Sequence, residues 1–438
     1  MVKVLKFGGS SLADANQFRK VAQIVRAEKG KCYVVPSAPG KRFGGDDKVT
    51  DLLYRCYELA SNGEDFSPVF NKIKERYNGI VEELGLKLSM DEEFTVISIS
   101  IAHHAGRDYV ASRGEYLNGK ILSAYLEYPF VDAATGIFFQ ENGSFDGEYT
   151  NKKLGRILAN CDRAVIPGFY GSMPNGTIKT FSRGGSDITG SIVARAVRAD
   201  MYENWTDVSG FLMADPRCVA DPRPINVITY RELRELSYMG ATVLHEDAIF
   251  PVRIAGIPIN IRNTNDPAAP GTMIVPVADD SSMEDCVITG IAGKKGFSLI
   301  HIEKDMMNAE LGFGRRVLSV LEEQKIPFEH FPSGIDTMTV VVATAYLEGK
   351  RELIVQEITK ATESDTVTIE DGFALIAVVG RGMVKAKGTA ARVFAAVANA
   401  SINIRMIDQG SSELNIILGV DEGDYEATLN AIYREFVK

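Results

Sequence analysis

A chain of 438 residues is too long for one ordinary domain, and 45% hydrophobic with 24% charged residues is the make-up of a folded globular protein of two or three domains. With 48 Lys and Arg against 58 Asp and Glu, the net charge of −10 offers no overall field for a nucleic-acid backbone or an anionic membrane, and neither partner is expected. Cys32, Cys56, Cys161, Cys218 and Cys286 stand singly with no C-x-x-C pair, which argues against a disulfide framework or structural zinc and for a reducing compartment. Met1 to Phe7 alternates Lys with apolar residues, unlike a secretory core, and no stretch approaches the roughly 18 apolar residues of a membrane span. A cytoplasmic location follows as the expectation.

In chain order, Val2–Phe7 reads as a buried strand, Gly8-Gly9-Ser10-Ser11 as a turn, and 14–29 as a helix with Phe18, Val21, Ala22 and Val25 on one face. A strand over 32–35 follows. Strands are predicted again over 94–99, 164–166, 201–205 and 258–261, with helices over 187–198 and 230–239 between them. This alternation predicts an α/β domain on a largely parallel sheet. From Asn263 to Cys286 the composition turns to Asn, Pro, Asp, Ser and Gly, as at a domain junction, so the first domain is bounded at 1–280.

Beyond the junction lies an internal repeat. Leu299, Ile300, Met307, Gly312, Arg316, Val317, Ile326 and Gly334 recur at a constant offset of 76 residues as Leu375, Ile376, Met383, Gly388, Arg392, Val393, Ile402 and Gly410. Each copy reads as strand, glycine turn, amphipathic helix and two strands, giving units over 285–370 and 371–438. By itself the duplication fits a purely structural module as well as a sensor. Met306-Met307 reads as core or interface packing.

Three motifs bear on chemistry. Lys6-Phe7-Gly8-Gly9-Ser10-Ser11 joins a strand to a helix, where backbone N–H groups and the helix dipole favour phosphate and a strand-end Lys can meet it. It is neither of the common nucleotide fingerprints, and a tight turn with a solvated Lys has the same appearance. Arg183-Gly184-Gly185-Ser186-Asp187 again leads glycines into a helix, with Arg183 suited to a carboxylate and Ser186 or Asp187 suited equally to capping. Trp205-Thr206-Asp207-Val208-Ser209-Gly210 and Asp215-Pro216-Arg217 form a polar strand-end loop that suits a nucleoside or an ordinary turn. Two glycine-rich helix entries, one led by Lys and one by Arg, suit two anionic ligands facing each other. His103-His104 and the isolated His245, His301 and His330 lack metal-ligand spacing, so no protein metal site is expected.

Together and in this order, these motifs resemble the aspartate kinases of the amino-acid kinase superfamily, and the repeat resembles their paired ACT domains. The resemblance covers essentially the whole chain. It implies an amino-acid-kinase-like α/β domain with a largely parallel central sheet and helices on both faces, followed by two ferredoxin-like βαββαβ (ACT) domains. It further implies transfer of phosphate from MgATP to the side-chain carboxylate of L-aspartate. The product would be 4-phospho-L-aspartate, the first step towards lysine, threonine and methionine. The end at Lys438 without a homoserine dehydrogenase region implies a monofunctional enzyme.

By resemblance, Lys6 would stabilise the transferring group and Asp187 orient it, with Gly8, Gly9 and Ser10 around the phosphates. Ser37, Thr50, Glu115, Arg183 and Ser186 would hold aspartate, Glu115 meeting its ammonium. Thr206, Asp207, Leu212 and Arg217 would line ATP, with Thr242 where many relatives carry Lys. Mg²⁺ would arrive with the nucleotide. Met307, Gly312, Phe313, Glu329, Ser333 and Asp336 would form an effector site for L-lysine, in a homodimer or homotetramer joined through the ACT units.

Two departures stand out. Thr242 removes one positive charge near the phosphates, and the loop from Ser37 to Lys48 is longer than in some relatives. A kinase for another amino acid, such as glutamate, and a non-catalytic sensor on the same fold are the competing readings; Thr242 favours the second, and Lys6, Arg183 and Asp187 together oppose it.

Overall fold

The computed structural model describes residues 1–182, 184–240, 244, 246–278 and 287–437, the side chains of 246 and 247 excepted. The chain forms two compact units. The first comprises Met1–Phe211, Pro224–Tyr230 and Thr242–Ala278, and the second comprises Leu212–Arg223, Arg231–Ala241 and Asp279–Lys438. Two short stretches within the first 280 residues thus belong to the second unit.

The first unit opens with β1 (Val2–Phe7), α1 (Ala15–Ala27), β2 (Lys31–Pro36), α2 (Val49–Ser61), α3 (Ser67–Glu83), α4 (Asp91–Ala102) and α5 (Arg107–Leu126). It continues with α6 (Gly147–Leu158), β3 (Arg163–Val165), β4 (Tyr170–Ser172), β5 (Ile178–Thr180), α7 (Gly185–Ala196) and β6 (Met201–Thr206). After these come β7 (Val227–Thr229), α9 (Glu246–Ala255), β8 (Ile259–Asn263) and β9 (Thr272–Val275), while α8 (Tyr230–Tyr238), which follows β7 in the chain, belongs beyond its first residue to the second unit. The strands form a seven-stranded sheet in the order β3-β2-β1-β6-β8-β9-β7, parallel throughout except between β8 and β9. Only β4 and β5 stand apart among the described strands of this unit, as an antiparallel pair.

The central place of β1 explains its composition. Val4, Leu5 and Phe7 are fully buried, as a parallel strand covered on both sides requires. Asp14 caps α1 by accepting from the Gln17 N–H at 2.9 Å, and Phe18, Val21, Ala22 and Val25 turn inward as their spacing predicts.

Two expectations are corrected. Residues 94–99, read as a strand, lie within α4: Phe94, Ile97 and Ile101 are buried at helical spacing, whereas Val96 and Ile99 are more than half exposed. The β-branched run suggested a strand, but Asp91, Glu92 and Glu93 favour a helix N-terminus and packing selects one helical face. The stretch 263–286, read as a junction, also contributes β9, which pairs with both β7 and β8.

The second unit contains β10 (Gly290–Glu303), α10 (Phe313–Glu323), β11 (Thr337–Ala343), α11 (Arg351–Thr362) and β12 (Thr366–Val379). Then follow α12 (Thr389–Asn399), β13 (Met406–Asp408), β14 (Asn415–Asp421) and α13 (Tyr425–Phe436). All five strands form one antiparallel sheet in the order β11-β10-β12-β14-β13. The repeat interleaves. Gly290–Lys295 pairs with Ala374–Val379, which in turn pairs with β14, while the part of β10 from Phe297 onward pairs with β11 and the first part of β12. Gly296 and Gly372, both at positive φ, mark the two changes of partner. The repeat also recurs in detail: Gly312 and Gly388 have φ of 77° and 85° before α10 and α12, and Met307 and Met383 are both buried.

Because α4 is a helix, Phe94→Ala is expected to cost about 3–5 kcal/mol, while Val96→Lys and Ile99→Lys should stay within about 0.5 kcal/mol of the parent. In a strand Phe94 and Val96 would share a face, so equal losses in denaturant unfolding would contradict the helix.

Candidate active site

β1 lies between β2 and β6 with Lys6 opposite Val35 on one side and Asn204 on the other. The Lys6 side chain is buried, and its Nζ sits 2.5 Å from Asp187 Oδ1. Asn204 Nδ2 donates to the same carboxylate oxygen at 2.9 Å, and the Tyr202 hydroxyl donates to the Asp187 carbonyl at 3.2 Å. A buried ammonium is tolerable only when paired and hydrogen-bonded, and the partly buried Asp187, held by Asn204, supplies that partner for Lys6. Asn204 was not singled out from the sequence. Its signal was a polar Glu203-Asn204 pair inside an otherwise apolar strand pattern.

At the end of β1 the Gly8 N–H donates to the Trp205 carbonyl at 2.9 Å and Ser10–Leu12 makes one 3-10 turn before α1. Gly9 is required here, since a Cβ on it would lie 2.9 Å from the Ala38 carbonyl oxygen. Ser11 and Thr264 share a hydrogen bond of 2.7 Å between their hydroxyls, which ties the turn to the end of β8. The second glycine turn enters α7 with Gly184 at φ 76°, its carbonyl accepting from the Asp187 N–H at 2.8 Å. Arg183 and Thr242 lie outside the described residues.

A cleft of about 400 Å³ is lined by Lys6, Ser37, Thr50, Glu115, Ser186 and Asp187, together with Tyr54, Arg107, Phe169 and Thr180. The structure thus gathers both catalytic candidates and four of the five aspartate candidates in one cavity. Arg107 stacks its guanidinium 4.2 Å from the Tyr54 ring centroid at this cleft. Phe169 holds φ of 82°, with its N–H on Thr189 Oγ1 and its carbonyl on the Phe181 N–H. A bulky side chain keeps that conformation only where its surroundings enforce it, a pattern common in active sites. Arg107, Tyr54 and Phe169 belong to no motif in the sequence; topology alone brings them here.

Glu115 is buried on α5, and one carboxylate oxygen has no partner. Burial pushes its carboxyl up to about 8, against the opposing pull of the Ala38 N–H, the Ser186 hydroxyl and Arg113. A buried carboxyl poised near neutrality and aimed into a cleft suits a cationic ligand group.

Thr206 ends β6 and Asp207 follows it, their side chains joined at 3.2 Å. Leu212 and Arg217 fall in the second unit, where Arg217 is largely exposed and engages Asp215 at 2.6 Å. Also in that unit, Met307 and Phe313 bury their side chains in its core. The Asp336 carboxylate accepts from the Met306 N–H at 2.9 Å, Ser333 bridges to Met338, and Glu329 accepts from the Tyr238 hydroxyl. Among the described residues no three His, Cys, Asp or Glu side chains cluster as a metal site, and no helix is long and apolar enough to cross a membrane.

Residues 1–263 match the amino acid kinase family and residues 376–436 an ACT domain. Aspartokinase 3 of Bacillus subtilis (strain 168) is 40% identical, with 99% of this chain and 98% of the relative covered. The crystal structure of Clostridium acetobutylicum aspartate kinase, described as an allosteric enzyme, superposes with a TM-score of 0.95 at 52% identity, over 99% of this chain and 100% of that one. E. coli aspartokinase III, solved with aspartate and ADP and also with lysine and aspartate, shares the fold at a TM-score of 0.76 and 24% identity, with all of both chains covered. The chain belongs to the amino acid kinase family and, within it, to the aspartate kinases. It is accordingly an ATP-dependent phosphotransferase with a carboxyl acceptor.

Two outcomes follow from the geometry. Asn204→Leu removes the donor that shares Asp187 with Lys6 and should lower kcat about tenfold to a hundredfold, the worth of one hydrogen bond to a charged group. Because the folded pKa of Glu115 lies above its ordinary value of 4.5, the native chain keeps a proton that the unfolded chain loses. Its contribution to stability is therefore full below about pH 4.5 and is lost as pH rises to about 8. Glu115→Gln should flatten that decline, which denaturation midpoints at pH 5 and pH 8.5 would reveal.

Proposed function

We propose that this enzyme transfers the γ-phosphoryl group of MgATP to the side-chain carboxylate of L-aspartate, giving 4-phospho-L-aspartate and MgADP. The observation that carries the reading is the buried Lys6 paired with Asp187 in the same cleft as the unsatisfied Glu115. The acceptor carboxylate, with an ordinary pKa of about 3.9, is already ionised at neutral pH, so no general base is needed. One of its oxygens forms the new bond to phosphorus as the bond to the ADP oxygen breaks. The task is to bring two anions together and neutralise them, by positioning and electrostatics. Lys6 meets the transferring group as Asp187 and Asn204 hold the ammonium in place, and the turn of Gly8, Gly9 and Ser10 lies around the phosphates, the Gly8 N–H itself being taken by the Trp205 carbonyl. Glu115 receives the substrate ammonium, with Ser37, Thr50, Arg183 and Ser186 around its carboxylates. Thr206, Asp207, Leu212, Arg217 and Thr242 attend the nucleotide.

The site's chemistry fits Mg²⁺ carried on the phosphates, since Asp187 is the one carboxylate besides Glu115 among the described residues of the cleft. That ion would neutralise phosphate charge.

L-lysine is proposed as feedback inhibitor, its ammonium paired with Glu329 and its main-chain groups received by Ser333, Asp336 and the backbone of Met307, Gly312 and Phe313. What supports this is the hydrogen-bonded loop Glu329–Asp336 facing the turn at Met306, and the shared fold with a chain solved with lysine. The assembly would be a homodimer or homotetramer joined through the ACT units, in the cytoplasm, at the first step towards lysine, threonine and methionine.

The test is hydroxamate formation from MgATP, hydroxylamine and either L-aspartate or L-glutamate, with and without L-lysine. Aspartate-dependent product is expected, lost by at least about a thousandfold in Lys6→Ala. Glu329→Ala and Ser333→Ala should abolish inhibition by lysine while leaving turnover intact. Equal product from glutamate would overturn the substrate assignment, and unchanged inhibition in both variants would overturn the effector site.

A further inference from the structure

The loop between β2 and α2 is longer than the family resemblance leads one to expect, and its fold has a specific anchor. Arg76, on α3, is buried with its guanidinium inside this loop. Its Nη1 donates to the Ala13 carbonyl at 2.8 Å and reaches the Gly40 carbonyl at 3.5 Å. Its Nη2 donates to Asp46 Oδ2 and approaches the Asp47 carbonyl at 3.3 Å. The Asp46 carboxylate in turn accepts from Arg42 Nε at 2.8 Å and Nη2 at 2.9 Å, and from the Arg42 N–H at 3.0 Å. Arg42 first, and Arg76 with it, hold the Asp46 carboxyl well below the usual carboxylate range despite its partial burial.

The partners of Arg76 are informative. Ala13 closes the turn that follows Lys6, whereas Gly40 and Asp46 belong to the loop running from Ser37 to Thr50. The two segments also touch directly. The Gly40 N–H donates to the Gly9 carbonyl at 2.8 Å, and a Cβ on Gly40 would come within 2.7 Å of the Gly9 carbonyl carbon. The loop is closed at its base by the Val49 N–H on the Pro39 carbonyl, just before α2 presents Thr50 to the cleft. One planar cation with several fixed donors can hold carbonyls from two segments and a carboxylate at once, which a lysine with a single ammonium cannot reproduce.

We propose that Arg76 is a positioning residue for phosphoryl transfer: from one buried guanidinium it sets the spacing between the glycine turn after Lys6 and the loop that runs from Ser37 to the start of α2, where Thr50 lies. It acts through that loop and through Asp46, and it touches neither substrate. The assignment rests on the reading of Ser37 and Thr50 as aspartate contacts. Misplacing a substrate loop weakens the productive pose while the fold stands, so the signature is kinetic.

The experiment measures kcat, KM for aspartate, KM for ATP and the melting temperature in Asp46→Asn, Arg76→Lys and the double variant. Asp46→Asn frees the loop but leaves Arg76 on Ala13 and Gly40; KM for aspartate should rise about tenfold, with kcat and KM for ATP within about twofold. Arg76→Lys should also lower kcat about tenfold or more, and adding Asp46→Asn to it should raise KM for aspartate no further, because the two act through one contact. A fall in melting temperature with KM for aspartate unchanged in Asp46→Asn, or additive effects in the double variant, would overturn the proposal. Should Arg76→Lys fail to fold, Asp46→Asn decides alone. Ser37→Ala tests the underlying site separately: no change in its KM for aspartate would remove the substrate reading, whereas a raised KM there with a silent Asp46→Asn would remove only the role of Arg76.

Discussion

A charged lysine at the end of a buried strand is the constraint around which the first unit is built. Lys6 cannot be desolvated alone, and the paired carboxylate must come from another element that ends at the same place. Parallel pairing of β1 with β2 and β6 supplies the geometry, because it brings the carboxyl ends of three strands, and the turns that follow them, to one edge of the sheet. Asn204 arrives in register beside Lys6, and Asp187 arrives from the first turn of α7. The result is a cation held in place by side chains of the fold itself, as electrostatic preorganisation demands.

Opposite this cation the cleft carries a different electrostatic character. Glu115 is buried, and that burial pushes its carboxyl up to about 8, the reverse of the paired and charged environment around Lys6. The backbone provides the close approach between the two sides. Gly9 and Gly40 come so near each other that a side-chain carbon on either would collide with main chain. Glycine there is a requirement of packing.

The second unit solves a different problem with duplicated material. Two copies of a strand and helix pattern would each leave a sheet edge open, and exchanging the first part of β10 into the sheet of the second copy joins them without a break. The loop from Glu329 to Asp336 hangs from this sheet by backbone bonds at Glu329, Gly334 and Thr339. Glu329 is engaged by Tyr238, a residue whose sequence position lies well before the repeat. Side chains there are arranged by contacts between distant stretches of chain.

Much of this was legible in the residues themselves. The buried strand at Val2–Phe7, the capped helix after Asp14, the two glycine entries and the 76-residue repeat are all local patterns, set by periodicity, by capping and by positions that tolerate only glycine. Such signals survive in sequence because their cause lies within a few residues. The helix over Asp91–Ala102 looks like a strand in sequence because a run of β-branched residues carries strand propensity and only packing decides which face is buried. Asn204 beside Lys6, Arg107 and Phe169 at the cleft, and Arg76 within the Ser37–Thr50 loop were decided by tertiary structure alone. Their partners are tens to hundreds of residues away, and desolvation, register and the direction of a buried side chain exist only once those segments have met.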